Sequence, residues 1–222
     1  MRKGVLSMST IQNIIGQQTV MDCVKYVHEI VECWMRDNDI GGWSDVVSPN
    51  CDIYDSDEYS YKIRTGATKV VLIPHDQPYV IKIPYAADEW DGEISNYCDM
   101  EAGFYDEAEV DGCEQFFVPT QFLTYVEDIP VYIQTKIYGI KTSYPTCEEV
   151  CEYASIEGSD VLDADIGGKL IKYYSSEEIE IFLAFIVAHN INDLEADRNG
   201  SYVPAIGRYV FWDYSGYHEN IW

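Results

Sequence analysis

Residues 57–85, DEYSYKIRTGATKVVLIPHDQPYVIKIPY, decide the fold. β-Branched and aromatic residues recur between two turn signals, Thr65-Gly66 and His75-Asp76-Gln77-Pro78. The stretch therefore reads as strand, tight turn, strand (Lys69 to Ile73), turn and strand (Tyr79 to Ile83). Turns this short join antiparallel neighbours, which makes a meander.

Upstream the period changes. Val20, Cys23, Val24, Val27, Ile30, Val31 and Trp34 repeat at helical spacing, which predicts an amphipathic helix ending at Gly41-Gly42, with residues 1–16 loosely ordered. Downstream, a helix is expected over 93–108, with Ile94, Tyr97, Cys98, Met100, Phe104, Tyr105 and Ala108 as its inward stripe. Glu101 lies on that stripe, four residues after Tyr97 and three before Phe104. An inward carboxylate needs a partner, and Lys82, nineteen residues upstream on the third strand, can supply one. Residues 116–137, FFVPTQFLTYVEDIPVYIQTKI, add two strands around a turn at Glu127-Asp128-Ile129-Pro130. The second half reads as mostly helical. TCEEVCEYAS (146–155) suits a short helix, and SSEEIEIFLAFIVAHN (175–190) opens with a capping box, Ser175 and Glu178. A loop, INDLEADRNGS (191–201), then leads to a short strand pair ending at Asp213.

Composition narrows the function classes. With 222 residues, 47% hydrophobic and 14% aromatic, the chain can build a real core, and no apolar run approaches the roughly 18 residues that span a bilayer. The first residues, MRKGVLSMSTIQNIIGQ, lack a sustained apolar segment and a cleavage site, so a cytoplasmic location is expected, the host cytoplasm if the chain is phage-encoded. Seven cysteines include no C-x-x-C pair, which favours buried thiols over a metal site. Thirty-nine acidic against 14 basic residues give a net charge of −25. Such a chain repels nucleic acid and acidic membranes, so neither is an expected partner, whereas basic protein surfaces attract it.

Three short segments, in this order, resemble the protein-kinase-like superfamily, and in particular small kinase-like proteins of bacteriophages. YVIKIP (79–84) is similar to the strand that presents the phosphate-anchoring lysine, NDLEADRN (192–199) to the catalytic loop, and WDYSG (212–216) to the Asp-Phe-Gly turn. The resemblance runs from about residue 60 to 217 and implies roles: Lys82 for the ATP phosphates, Glu101 orienting it, Asp193 as base, and Asp213 and Asn199 as Mg²⁺ ligands. These types suit phosphoryl transfer, which needs a cation on the phosphates, oxygen ligands for a hard metal and a carboxylate beside the attacking hydroxyl.

The sequence also departs from the kinase pattern. Only Gly66 stands where kinases carry a three-glycine loop, leaving the N–H groups of Gly66, Ala67 and Thr68 as a small anion nest. Ile191 occupies the histidine position two before Asp193. Asn199 falls six residues after Asp193, so either the loop has one extra residue or Arg198 takes the expected place.

The expectation is an α+β, two-lobed kinase-like fold, truncated after the Asp-Phe-Gly-like turn and preceded by an extra N-terminal helix. Its parts are an N-terminal extension (1–45), an N-lobe of five strands and one helix (46–138) and a reduced, mainly helical C-lobe (139–222). Two functions follow. One is a protein that binds Mg-ATP and transfers a phosphoryl group to a hydroxyl. The other is a non-catalytic acidic pseudokinase that occludes a basic host protein such as a defence nuclease. An unrelated α+β domain is the third reading.

Overall fold

In the computed structural model the described residues are 8–47, 60–66, 68–86, 96–138, 170–189 and 200–214. The fold is mixed α+β, and the chain divides into two compact units: Met1–Gly103 with Pro119–Lys136, and Phe104–Val118 with Ile137–Trp222.

The first unit is built on the meander. Strands β1 (Tyr61–Thr65), β2 (Lys69–Pro74) and β3 (Tyr79–Pro84) are joined by β4 (Thr120–Val126) and β5 (Ile129–Thr135) in an antiparallel sheet of order β1-β2-β3-β5-β4. The β4–β5 connection is tighter than expected, because Ile129 and Pro130 already belong to β5 and Glu127 takes a left-handed φ of 52°.

Strand alternation gives the sheet two unlike faces. Val70, Leu72, Tyr79, Ile81, Ile83, Val131 and Ile133 form one, buried in a single core with α1 (Met8–Ile15) and α2 (Val20–Asp37). Full burial of an Ile such as Ile81 or Ile83 stabilises by on the order of 2 kcal/mol.

Two expectations at the N-terminus are corrected here. Residues 8–15 are helical rather than loosely ordered, because Ile11, Ile14 and Ile15 bury one face as α1 lies against β4 and β5. Helix α2 stops at Asp37, before Gly41-Gly42, because the Asn38 side chain donates to the Trp34 carbonyl at 2.8 Å and caps the last turn. The glycines have another use. A Cβ on Gly42 would stand 2.9 Å from Asp128 Oδ1, the atom that accepts the Trp43 N–H at 2.8 Å.

The second unit has an aromatic core. Helix α4 (Ser176–Ala188) starts at the expected capping box: the Ser175 hydroxyl accepts the Glu178 N–H at 3.3 Å, and the Glu178 carboxylate accepts the Ser175 N–H at 2.9 Å. Strands β6 (Gly200–Val203) and β7 (Arg208–Phe211) form the expected hairpin. Phe116 stacks on Phe182 with centroids 4.3 Å apart, and Phe182 lies parallel to Phe211 at 5.8 Å. The helix expected over 146–155 lies outside the described residues.

A buried lysine–glutamate–lysine cluster as candidate site

Helix α3 (Tyr97–Asp111) carries Glu101 into the first unit. Its start is held from the polar face of the sheet. The Asn96 side chain accepts the Asp99 N–H at 3.0 Å, as an N-cap residue does. The hydroxyl of Tyr132, on β5, accepts from Asn96 Nδ2 at 2.8 Å and donates to Asp99 Oδ1 at 3.0 Å. Burial pushes the Tyr132 phenol up, and the Asp99 carboxylate adds to the shift, so the group stays a donor. Tyr132 is paired with Lys82 in the β3–β5 register, and the pin therefore brings the first turns of α3 over Lys82. Cys98 and Ala102 pack on Tyr132 and Phe122 and fix the rotation of the helix.

The result is a buried ionic cluster. Glu101 is fully buried, its Oε2 accepts from Lys82 Nζ at 2.6 Å, and its Oε1 accepts from the ammonium of Lys69 on β2. Both lysine side chains are themselves almost wholly buried. The expected contact between the third strand and the helix is present. The second lysine was not foreseen. Lys69 faces Pro84 and Lys82 faces Val71 across β2 and β3, which puts both lysines on one face of the sheet. Burying charges costs several kcal/mol per ion unless geometry and hydrogen bonds compensate, and one carboxylate holding an ammonium on each oxygen is such a geometry.

The other candidate residues are placed as follows. Gly66 donates its N–H to the Lys69 carbonyl at 3.0 Å and accepts from the Tyr85 hydroxyl at 3.1 Å, so its amide closes the β1–β2 turn. The Thr68 carbonyl accepts the Tyr85 N–H, and Ala67 lies outside the described residues. Asp213 follows β7 in the second unit, half-buried and next to Tyr214, whose hydroxyl donates to the Val118 carbonyl at 2.9 Å. Asp193 and Asn199 lie outside the described residues. Among the described residues no group of three or more His, Cys, Asp or Glu gathers as a metal cluster, and no helix is long and apolar enough to cross a membrane. The thiols of Cys23, Cys98 and Cys113 are buried and that of Cys33 is partly exposed.

Compared with protein-family models, with curated proteins and with solved structures, the chain matches none.

Proposed function

We propose that the chain is a protein-kinase-like protein that binds Mg-ATP, with Lys82 gripping the phosphates and Glu101 holding Lys82 in place. The observation that carries this reading is the buried 2.6 Å contact between Lys82 on β3 and Glu101 on α3. It joins the two residues to which the sequence resemblance gives these roles. In this reading residues 46–138 are the N-lobe and residues from 139 onward belong to the C-lobe.

An ammonium whose position is fixed by a buried carboxylate suits a phosphate oxygen, and by the resemblance Asp213 is an Mg²⁺ ligand. When bound, Mg-ATP supplies the transferable phosphoryl group. The chain's own part is to orient Lys82 through Glu101 and, by the resemblance, to receive the hydroxyl proton at Asp193.

Calorimetric titration of ATP with and without Mg²⁺ tests the reading. Binding by the wild type, with a rise in melting temperature that is lost in Lys82→Met and weakened in Asp213→Ala, is the expected result. No heat and no shift at millimolar nucleotide would remove ATP from the account.

The net charge of −25 favours a second reading, in which the protein docks on a basic partner and catalyses nothing. Its association rate then falls steeply as salt shortens the screening length from about 10 Å at 0.1 M to about 3 Å at 1 M. Capture of a host protein with Asp193→Ala performing as wild type, and no label transferred from ATP by either, is the result that selects it.

A further inference from the structure

We infer that Lys69 is a second phosphate-gripping lysine, so that the ligand of this sheet face is a chain of linked phosphates, as in a nucleoside di- or triphosphate, and not a single phosphate group. The inference rests on the reading of Lys82 as a phosphate anchor and goes beyond it, since the kinase resemblance gives Lys69 no role.

Geometry comes first. Lys69 and Lys82 lie on adjacent strands, two residues out of register, which separates their Cα atoms by about 8 Å given the usual strand rise and spacing. Their side chains nonetheless converge on one carboxylate, an oxygen each. Glu101 takes one donor from each ammonium and so fixes both heads at one place. Glu101 thus serves as a shared base for two cations, which a single lysine–glutamate pair does not need.

Charge points the same way. On β1, Arg64 faces Val71 and Lys62 faces Ile73, so strand alternation puts both on the face that holds Lys69 and Lys82. That face of three short strands carries four of the chain's 14 lysines and arginines, in a protein of net charge −25. An acidic molecule repels anions at long range, and a local concentration of cations is the place where one can be accepted. Each further linked phosphate adds negative charge and another set of acceptor oxygens, so a cluster of cations discriminates by phosphate number where a lone lysine does not.

The test is a calorimetric series of inorganic phosphate, pyrophosphate, tripolyphosphate and ATP on the full chain. Wild type should bind tripolyphosphate at least ~10-fold more tightly than phosphate, and Lys69→Met should weaken tripolyphosphate and ATP by ~10-fold while Lys69→Arg retains most of the affinity. ATP binding unchanged in Lys69→Met overturns the inference and leaves the ATP reading standing. Tripolyphosphate bound by wild type and weakened in Lys69→Met, with no added affinity for ATP over tripolyphosphate, upholds the inference and counts against a nucleotide site. If Lys69→Met fails to fold, the wild-type ranking decides, and equal affinities for phosphate and tripolyphosphate overturn the inference.

Discussion

In the first unit a carboxylate, Glu101, lies fully buried between lysines of two neighbouring strands, whereas in the second unit buried tyrosine hydroxyls donate to backbone carbonyls. Tyr214 donates to Val118 at 2.9 Å, and Tyr174 to Gln115 at the same distance. A neutral hydroxyl on a carbonyl satisfies the carbonyl cheaply and lets a ring fill the core. A buried triad of charges does neither; replacing such a group with apolar residues is often neutral or stabilising. The difference teaches that these tyrosine hydroxyls are explained by packing, while the buried charges of the first unit call for a functional account.

The largest expected effect follows directly. Glu101→Ala removes the carboxylate that two buried ammonium groups share and should cost about 3–5 kcal/mol in denaturant unfolding. The triple variant Lys69→Met, Lys82→Met, Glu101→Leu should recover most of that loss while abolishing ATP binding. Recovery of stability with binding intact would break the contrast, since the charges would then serve neither purpose.

In the second unit the sharpest packing test is Gly200→Ala. The added methyl would stand 2.6 Å from Tyr209 Cε1 and 3.0 Å from Phe211 Cδ1, across the β6–β7 pair. Overpacking of this kind costs about 2 kcal/mol, read as a lower denaturation midpoint with an unchanged slope. A variant as stable as wild type would show that the aromatic core yields more readily than its ring contacts imply.

Tyr132 and Tyr214 compare the units at a smaller scale. Each phenylalanine variant loses a buried hydroxyl contact and should cost about 1–2 kcal/mol. Only Tyr132→Phe should also weaken ATP and tripolyphosphate binding, because its hydroxyl holds the start of α3 and so the position of Glu101. Equal binding by both variants would make Tyr132 a packing residue like Tyr214.

Local patterns explain what could be read in advance. The strands of the meander, the inward Glu101 and the Ser175–Glu178 box each depend on residues within a few positions of one another, and each appears in the structure. Lys69 was illegible because its role depends on the pairing of β2 with β3 and on the placement of α3, neither of which a local pattern contains. Tyr132 reads as an ordinary strand aromatic until the β3–β5 register sets it beside Lys82. Helix α1 has apolar residues at the right spacing, yet eight residues are too few to be helical alone and gain their order by packing on β4 and β5. Gly41-Gly42 resembled a helix stop because glycine favours both a helix end and a close approach, and here the approach to Asp128 accounts for Gly42.

The smallest effect belongs to the capping box of α4, and pH makes it separable from packing. The Ser175 N–H, the first of several causes, holds the Glu178 carboxyl below the usual carboxylate range, with the Ser175 hydroxyl and Arg208, 3.6 Å away, assisting. A carboxyl whose value is lowered by folding contributes stability that is complete above the unfolded value of about 4.3 and is lost as pH falls through the folded one. Ser175→Ala removes the hydroxyl that accepts the Glu178 N–H and should cost about 1 kcal/mol at neutral pH. Glu178→Gln removes the titrating group, so its stability deficit relative to wild type should be largest at neutral pH and shrink below pH ~4, where both proteins carry a neutral side chain. The measurement is urea unfolding of wild type and Glu178→Gln from neutral pH down to acid. A deficit that stays constant through that range would mean that the Glu178 charge does nothing for the helix and that the box acts through neutral hydrogen bonds alone.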